Sequence, residues 1–249
     1  MSSSQDSELR VYHSPTDSIS SLSFNSSGSH LLCSSWDSKL RIYDVDKLEV
    51  DTDFQSHAPL LDAVYENDDY AWSGGLGRKV IRYNIERKTE ETIGGHDEAV
   101  RCLVRNKEHN FIISGSWDQE ISIWDPRQRK RVVSRPQNER VYAMDTVDNT
   151  VVVGTAQRKF LIWDLRNWGT FSLFWKIKAK FTYHTDVCQQ KRESNLKYQT
   201  RAVKCFPNGI GFVVGSIEGR VAVEYFDPSA EAQKKRYIYI KESFDANLV

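Results

Sequence analysis

The sequence is short of the residues that build disulfide frameworks, zinc sites and membrane spans. Only four of its 249 residues are cysteine, and no two of them form a Cys-x-x-Cys pair. Sparse, separated thiols are typical of reduced cysteines in a reducing compartment. No run of about 18 apolar residues is present that could span a bilayer. The polar N-terminus has no apolar signal segment, so we expect a protein that is not secreted.

Neither sign of charge is in excess. The sequence has 34 basic and 34 acidic residues, which gives no support for a nucleic acid or a membrane surface as a partner. It contains no His-Glu-x-x-His motif and no cluster of His or Cys, so we predict no metal site and no cofactor. Hydrophobic residues make up 39% of the chain, enough to bury a core.

What the sequence does contain is a repeat. Five segments align without gaps and end at residues 44, 84, 125, 164 and 225, so three successive spacings are 40, 41 and 39 residues. A four-stranded propeller blade has a length of roughly 40–45 residues. Within each unit a strand of small residues leads through a turn to an alternating strand such as residues 120–124, which we interpret as half-buried. The repeat therefore predicts an all-β, WD-repeat β-propeller.

The fourth spacing, 61 residues, predicts an insertion at about residues 170–187, for which a loop is favoured over an amphipathic membrane segment. We expect a disordered N-terminus (1–8), a partial propeller (9–240) and an atypical C-terminal tail (241–249). Seven blades need roughly 280 residues or more. The five recognisable blades of an expected seven thus predict a ring open at its C-terminal side, with residues 9–12 as a candidate closing strand. We interpret the chain as a truncated or alternatively spliced form.

The third repeat carries four residues that can form a hydrogen-bonded relay, namely His96, Ser114, Asp118 and Trp124. In such a relay the indole N–H bonds to the hydroxyl, the hydroxyl to the imidazole and the imidazole to the carboxylate, so that each buried polar group has a partner. Serine, histidine and aspartate also suggest a hydrolase. The tryptophan and the repeat spacing favour a structural relay, and we predict no catalytic residue.

Several runs resemble one particular family. They are residues 71–76 (Ala-Trp-Ser-Gly-Gly-Leu), residues 192–201 (Arg-Glu-Ser-Asn-Leu-Lys-Tyr-Gln-Thr-Arg) and residues 215–225 (Gly-Ser-Ile-Glu-Gly-Arg-Val-Ala-Val-Glu-Tyr). The sequence resembles the spindle-assembly-checkpoint WD-repeat proteins of the budding-uninhibited-by-benzimidazoles series. The messenger-RNA-export propeller of nuclear pores is a near relative that shares the Ser-Ile-Glu-Gly-Arg part of the last run.

This resemblance implies a non-enzymatic scaffold in the nucleus, at kinetochores in mitosis and also in the cytoplasm. Its partners would be checkpoint kinases with GLEBS-type motifs, phosphorylated Met-Glu-Leu-Thr repeats of a kinetochore scaffold, and the anaphase-promoting complex with its checkpoint assemblies. Trp36 and Trp117 would make apolar contacts, while Arg201 and Arg220 would bind phosphate or carboxylate groups. Alternatively, the tryptophans cover blade turns, the arginines are solvated, and the protein is an export adaptor that binds the same motif class.

Overall fold

The computed structural model describes residues 11–168 and 188–240, and its regular structure there is almost entirely β-strand. Within these residues twenty strands form five antiparallel sheets of four strands each. We number the sheets blade 1 to blade 5 in chain order. The predicted all-β fold with five WD-repeat blades is therefore confirmed. The predicted N-terminal segment (1–8), insertion (about 170–187) and tail (241–249) lie outside the described residues.

The first three blades share one layout, in which four strands are joined by tight turns. Blade 1 comprises β1 (Ile19–Phe24), β2 (His30–Ser35), β3 (Lys39–Asp44) and β4 (Glu49–Gln55). Blade 2 comprises β5 (Leu60–Tyr65), β6 (Tyr70–Gly75), β7 (Lys79–Asn84) and β8 (Thr89–Gly95). Blade 3 comprises β9 (Val100–Asn106), β10 (Phe111–Ser116), β11 (Glu120–Asp125) and β12 (Lys130–Pro136).

The last two blades keep this strand order but have longer connections before their fourth strands. Blade 4 comprises β13 (Val141–Val147), β14 (Thr150–Thr155), β15 (Lys159–Asp164) and β16 (Gln190–Glu193). Blade 5 comprises β17 (Thr200–Cys205), β18 (Gly211–Ser216), β19 (Arg220–Tyr225) and β20 (Tyr237–Ile240), with the short helix α1 (Ala230–Lys234) before β20. No helix among the described residues has the length and apolarity needed to cross a membrane.

Two sets of turns define the two faces of the molecule. Alternate turns of an antiparallel meander lie at opposite ends of its sheet. The upper face carries the turns between the second and third strands (residues 36–38, 76–78, 117–119, 156–158 and 217–219). The lower face carries the turns between the first and second strands (residues 25–29, 66–69, 107–110, 148–149 and 206–210). Successive blades contact each other through their first strands, so equivalent turns share a face.

Close packing between blades depends on a glycine in the second strand of a blade. A Cβ atom added to Gly115 of β10 would lie 2.7 Å from Cγ1 of Val141, the first residue of blade 4. Gly74 receives Val100 of blade 3 in the same way. The equivalent Gly215 of blade 5 has one atom of the described residues within 4 Å of its added Cβ, at 3.8 Å. No described residue therefore fills the notch on blade 5.

The first strand of blade 1 is also left uncovered by the described residues, on the side that faces away from blade 2. Ile19 occupies the position that Val141 has in blade 4, yet it is 51% exposed, whereas Val141 is fully buried. Leu22 and Phe24 of the same strand are also exposed. The candidate closing strand, residues 9–12, is described only at residues 11 and 12, and these are not in a strand. There the backbone N–H of Tyr12 donates to the Leu48 carbonyl of blade 1, which ties the segment to its own blade.

The interpretation of residues 120–124 as a half-buried strand is wrong. Ile121, Ser122, Ile123 and Trp124 are each at most 1% exposed, so both faces of β11 are buried. The physical reason is that blade 3 is sandwiched between blades 2 and 4, and a strand in the middle of such a blade has no face turned to solvent. The alternation along the strand separates two buried surfaces.

Candidate functional site

The structure brings the four relay residues of blade 3 together. The indole N–H of Trp124 donates to Ser114 Oγ at 2.8 Å, and Ser114 Oγ lies 2.7 Å from His96 Nε2. His96 Nδ1 lies 2.8 Å from Asp118 Oδ2. Because the serine hydroxyl accepts from the indole, its own proton points to Nε2, and the imidazole then donates from Nδ1 to the carboxylate. The relay thus crosses the blade from the third strand to the upper turn.

The charge of Asp118 is stabilised within this relay. Burial acts to raise its pKa, but the hydrogen bond from His96, together with the backbone N–H groups of Asp97 and Glu120, outweighs burial and lowers the pKa. Asp118 Oδ1 accepts from Glu120 N at 2.9 Å, which also fixes the turn that leads into β11. The carboxylate is therefore an anchor for both the imidazole and the turn.

This arrangement is not suited to hydrolysis or to metal binding. Ser114 is fully buried within β10, so a substrate cannot reach its hydroxyl unless the sheet opens. Ligand atoms of His96, Asp118 and Glu120 lie within 4.8 Å of one another. Both imidazole nitrogens, however, are already engaged by Ser114 and Asp118. The four residues hold the blade together, as their burial and complete pairing indicate.

The position that Trp124 occupies in blade 3 has different chemistry in the other blades. In blade 2 the hydroxyl of Tyr83 lies 2.9 Å from Ser73 Oγ. In blade 4 the indole of Trp163 donates to Gln137 Oε1 at 2.9 Å, so one amide replaces the serine and histidine. In blade 5 the position is taken by Glu224, which pairs with Phe212 across the sheet as Trp124 pairs with Ile112.

Glu224 forms a buried charge cluster at the boundary between blades 4 and 5. Its Oε2 lies 2.8 Å from Arg236 Nη2 and 3.9 Å from Arg192 Nη1 of β16. Burial raises the pKa of Glu224 against the opposing effect of the two arginines, and it lowers the pKa of Arg192, helped by the like charge of Arg236. The sequence interpretation singled out the runs containing Arg192 and Glu224 but missed their pairing. The signal was a carboxylate at the tryptophan position of the repeat.

Trp36 and Trp117, two of the predicted binding residues, lie at the first position of the upper turns of blades 1 and 3. Their backbone N–H groups each donate, at 3.0 Å, to a carbonyl in the connection that precedes the blade. The indole of Trp36 is 42% exposed. Trp117 is half-buried, and its Nε1, shielded from solvent, has no hydrogen-bond partner among the described residues.

The two predicted arginines lie at the upper end of blade 5. Arg201 follows the first residue of β17, and Arg220 begins β19, with β18 between them. Since neighbouring strands are about 4.8 Å apart, their backbones are separated by roughly 10 Å. Arg201 is exposed and has no polar partner among the described residues, while Arg220 Nε lies 3.4 Å from Glu218 Oε2. Both residues thus lie at the end of blade 5 that belongs to the face carrying Trp36 and Trp117.

Two further exposed side chains of this face were missed by the sequence interpretation. Ile217 occupies in blade 5 the turn position that Trp36 has in blade 1, and it is 60% exposed. Tyr198, in the connection that leads into β17, is 54% exposed. Tyr198 belongs to the run at residues 192–201 that carries the family resemblance, which was the available signal. Blade 5 therefore combines apolar and cationic groups on its upper end.

Comparison with known proteins identifies relatives over most of the chain. Residues 2–44 and 87–125 match the WD domain, G-beta repeat family. The chain is 40% identical over 230 residues to Mitotic checkpoint protein BUB3.1 of Arabidopsis thaliana, covering 90% of this chain and 63% of that protein. It is 33% identical to Mitotic checkpoint protein bub3 of Dictyostelium discoideum, covering 93% and 65%. It is 38% identical to Mitotic checkpoint protein bub-3 of Caenorhabditis elegans, covering 92% and 64%.

The chain thus spans slightly less than two thirds of the length of these relatives. The similarity extends across all five blades, because each alignment covers at least nine tenths of the chain.

Proposed function

We propose that this chain, which is similar to BUB3 mitotic checkpoint proteins over at least nine tenths of its length, is a binding scaffold of the spindle assembly checkpoint. It catalyses no reaction and acts by holding partner peptides on its upper face. Its place of action is the nucleus, the kinetochore in mitosis, and the cytoplasm. The anaphase-promoting complex and its checkpoint assemblies are further partners.

A single observation carries this proposal, namely the composition of the upper face. That face combines the exposed indole of Trp36, the half-buried indole of Trp117 and the guanidinium groups of Arg201 and Arg220. Aromatic and arginine side chains are enriched among the residues that dominate binding energy in protein interfaces. The arrangement suits an extended acidic or phosphorylated peptide, which offers both apolar side chains and anionic groups.

The indoles are the proposed contacts for GLEBS-type motifs of checkpoint kinases. Trp36 offers an apolar surface that is already exposed, so binding does not require the blade to open. The N–H of Trp117 has no acceptor among the described residues. A buried donor without a partner is costly, so a carbonyl oxygen of a bound peptide would supply what this indole lacks.

The arginines are the proposed contacts for phosphorylated Met-Glu-Leu-Thr repeats of a kinetochore scaffold. A guanidinium group offers two parallel N–H donors to phosphate oxygens. Arg201 can bind phosphate without breaking another contact, because its guanidinium group has no hydrogen-bond or ion-pair partner among the described residues. Arg220 must be shared with Glu218 or released from it, since the two groups lie 3.4 Å apart. Glu218 is therefore expected to weaken phosphate binding.

The test is calorimetry of this chain with a phosphorylated Met-Glu-Leu-Thr peptide. Arg201→Ala and Arg220→Ala should each weaken binding by about 1.5–3 kcal/mol, or roughly 10- to 150-fold in Kd, because a charge-assisted bond is lost. Glu218→Gln should tighten binding by up to about fivefold, since it frees Arg220 from a partly exposed ion pair. Lys107→Ala, an exposed cation of the lower face, is the matched control.

The phosphate assignment fails if the unphosphorylated peptide binds as tightly, or if Lys107→Ala weakens binding as much as Arg201→Ala does. The indole assignment is tested separately with a GLEBS peptide. Trp36→Ala should reduce its affinity about tenfold or more with no change in thermal stability, because Trp36 is an exposed turn residue. Tyr12→Ala, which removes an exposed aromatic ring away from the upper face, should leave affinity unchanged.

A further inference from the structure

Blades 1 and 2 border a cavity of about 390 Å³ at the lower face, opposite the proposed peptide site. Its wall is formed by the lower turns of both blades, with Ile42 and Ile85 contributing apolar surface. Asp68, Asp69 and Glu86 lie at exposed positions around it, and no lysine or arginine of residues 11–168 and 188–240 lines it. The cavity is therefore an anionic recess on a chain whose formal net charge is zero.

The acidic groups are held in place by the turns that carry them. Ser26 Oγ of blade 1 lies 2.9 Å from Asp68 Oδ1 and 3.0 Å from Asp68 Oδ2 of blade 2. The Asp69 carbonyl accepts from Ile85 N at 2.9 Å, which fixes the segment that continues into Glu86. The carboxylates of Asp69 and Glu86 have no hydrogen-bond or ion-pair partner among the described residues. Two unpaired carboxylates on hydrogen-bonded backbone segments are thus available to a ligand.

Tyr65 also lines the cavity, and its buried hydroxyl group is a second feature that is independent of the carboxylates. Tyr65 is only 6% exposed, and its Oη has no hydrogen-bond partner among the described residues. Burial, together with the carboxylates of Asp68 and Asp51, raises the pKa of this hydroxyl, so it stays protonated. Buried polar groups are nearly always paired, so an unpaired phenol beside a cavity points to a missing ligand group. A protonated phenol can still accept a hydrogen bond from a cation.

We propose that this cavity binds the guanidinium group of an arginine side chain from a protein partner. The carboxylates do not converge on a point: among the described residues only His96, Asp118 and Glu120 bring three ligand atoms close enough for a single metal ion. Separated acceptors suit a planar cation with five N–H donors directed outward better than a compact ammonium or metal ion. The apolar wall matches the methylene stem of an arginine.

The proposal is tested by NMR titration of the chain with N-acetyl-arginine amide, using N-acetyl-citrulline amide as the neutral isostere. The arginine probe should shift backbone amide signals of Ser29, Asp69 and Glu86, while the citrulline probe should not. In the Asp69→Asn/Glu86→Gln variant the Kd should rise about tenfold or more, because two charged acceptors are lost. Tyr65→Phe keeps the ring and should raise the Kd about two- to tenfold.

The matched control is Glu108→Gln, which removes an exposed carboxylate from the corresponding lower turn of blade 3. Unchanged affinity in this variant supports a built site, whereas a loss equal to that of Asp69→Asn/Glu86→Gln would reduce the effect to general charge and overturn the proposal. Equal shifts with citrulline, or tighter binding of N-acetyl-lysine amide, would also overturn it. An unchanged Tm of Tyr65→Phe would show that its raised Kd reflects a lost contact with the probe and not a destabilised fold. Failure here leaves the upper-face function untouched, because the two sites share no residue.

Discussion

The glycine notch between blades predicts a sharp difference between two identical substitutions. In Gly115→Ala the new Cβ would lie 2.7 Å from Val141 Cγ1 and 2.9 Å from Cys102 Sγ, which is closer than van der Waals contact allows. In Gly215→Ala the nearest atom is Ala202 Cβ at 3.8 Å, an ordinary contact. One change must push two blades apart, and the other fills open space.

The magnitude follows from two opposing effects. Overpacking a close-packed core costs about 1–3 kcal/mol. Replacing glycine by alanine also restricts the unfolded chain, which stabilises the fold by about 0.4–1 kcal/mol wherever the native site tolerates the methyl group. Gly115→Ala should therefore destabilise by up to about 2.5 kcal/mol, while Gly215→Ala should be neutral or slightly stabilising. For a chain of this size, 1 kcal/mol corresponds to about 2–4 °C in Tm.

Urea unfolding followed by tryptophan fluorescence, together with thermal unfolding, measures both variants. Because Val141 contributes the closest atom, Val141→Ala should relieve part of the clash, and the double variant with Gly115→Ala should lose less stability than the sum of the single variants. Equal midpoints for Gly115→Ala and Gly215→Ala would refute the reasoning. So would strict additivity in the double variant, since it would show that the notch and Val141 do not interact.

Three further predictions concern the relay and the open side of blade 1. Trp124→Phe, which keeps a ring between the blades but removes the N–H, should cost about 1–2 kcal/mol in urea unfolding. Folding lowers the pKa of Asp118, so the ionised carboxylate adds to the free energy of unfolding above its unfolded pKa near 3.9, and this addition is lost as the pH falls through the folded pKa. Asp118→Asn should therefore reduce the dependence of the free energy of unfolding on pH between pH 5 and 3. Leu22→Ser/Phe24→Ser should lower self-association in sedimentation velocity, because both side chains are exposed on one strand. An unchanged pH slope or an unchanged sedimentation profile would contradict the last two.

The blade pattern was predictable because its determinants are local. Each blade folds from consecutive residues, so small residues, turn aspartates and alternating strands recur at a fixed spacing. The relay was also readable, because His96 and Trp124 lie within one repeat and each residue type has a defined hydrogen-bonding role. The burial of both faces of β11 was not, since periodicity separates two faces but does not say what covers them.

The repeat spacing does not predict which side chains pair between blades. Arg192 and Glu224 stand on different sheets, and their pairing depends on how blade 5 seats on blade 4. Some contacts inside a blade are equally absent from the repeat pattern: in blade 2, Glu66 accepts from Arg82 Nε at 2.7 Å and from Trp72 Nε1 at 2.7 Å, which forms a buried network. The lower cavity likewise arises only where the turns of two blades meet. Each of these features occurs once, so it does not recur at the repeat spacing and cannot be recognised from it.

The residue at the position of Trp124 differs from blade to blade, and this difference affects which blades can pack side by side. A protein made of interchangeable blades could join them out of sequence or trade one with another copy, a characteristic failure of repeat proteins. Here Tyr83 packs on the ring of Phe54 at 4.7 Å, Trp124 fills the space beside Gly94, and Glu224 meets Arg236 at 2.8 Å and Arg192 at 3.9 Å. Arg236 belongs to blade 5 itself, whereas Arg192 belongs to blade 4, so seating blade 5 on another neighbour would remove Arg192 from the cluster and leave the buried carboxylate with one arginine instead of two. The three junctions thus differ in the side chains that form them, and these differences favour the native order of the blades.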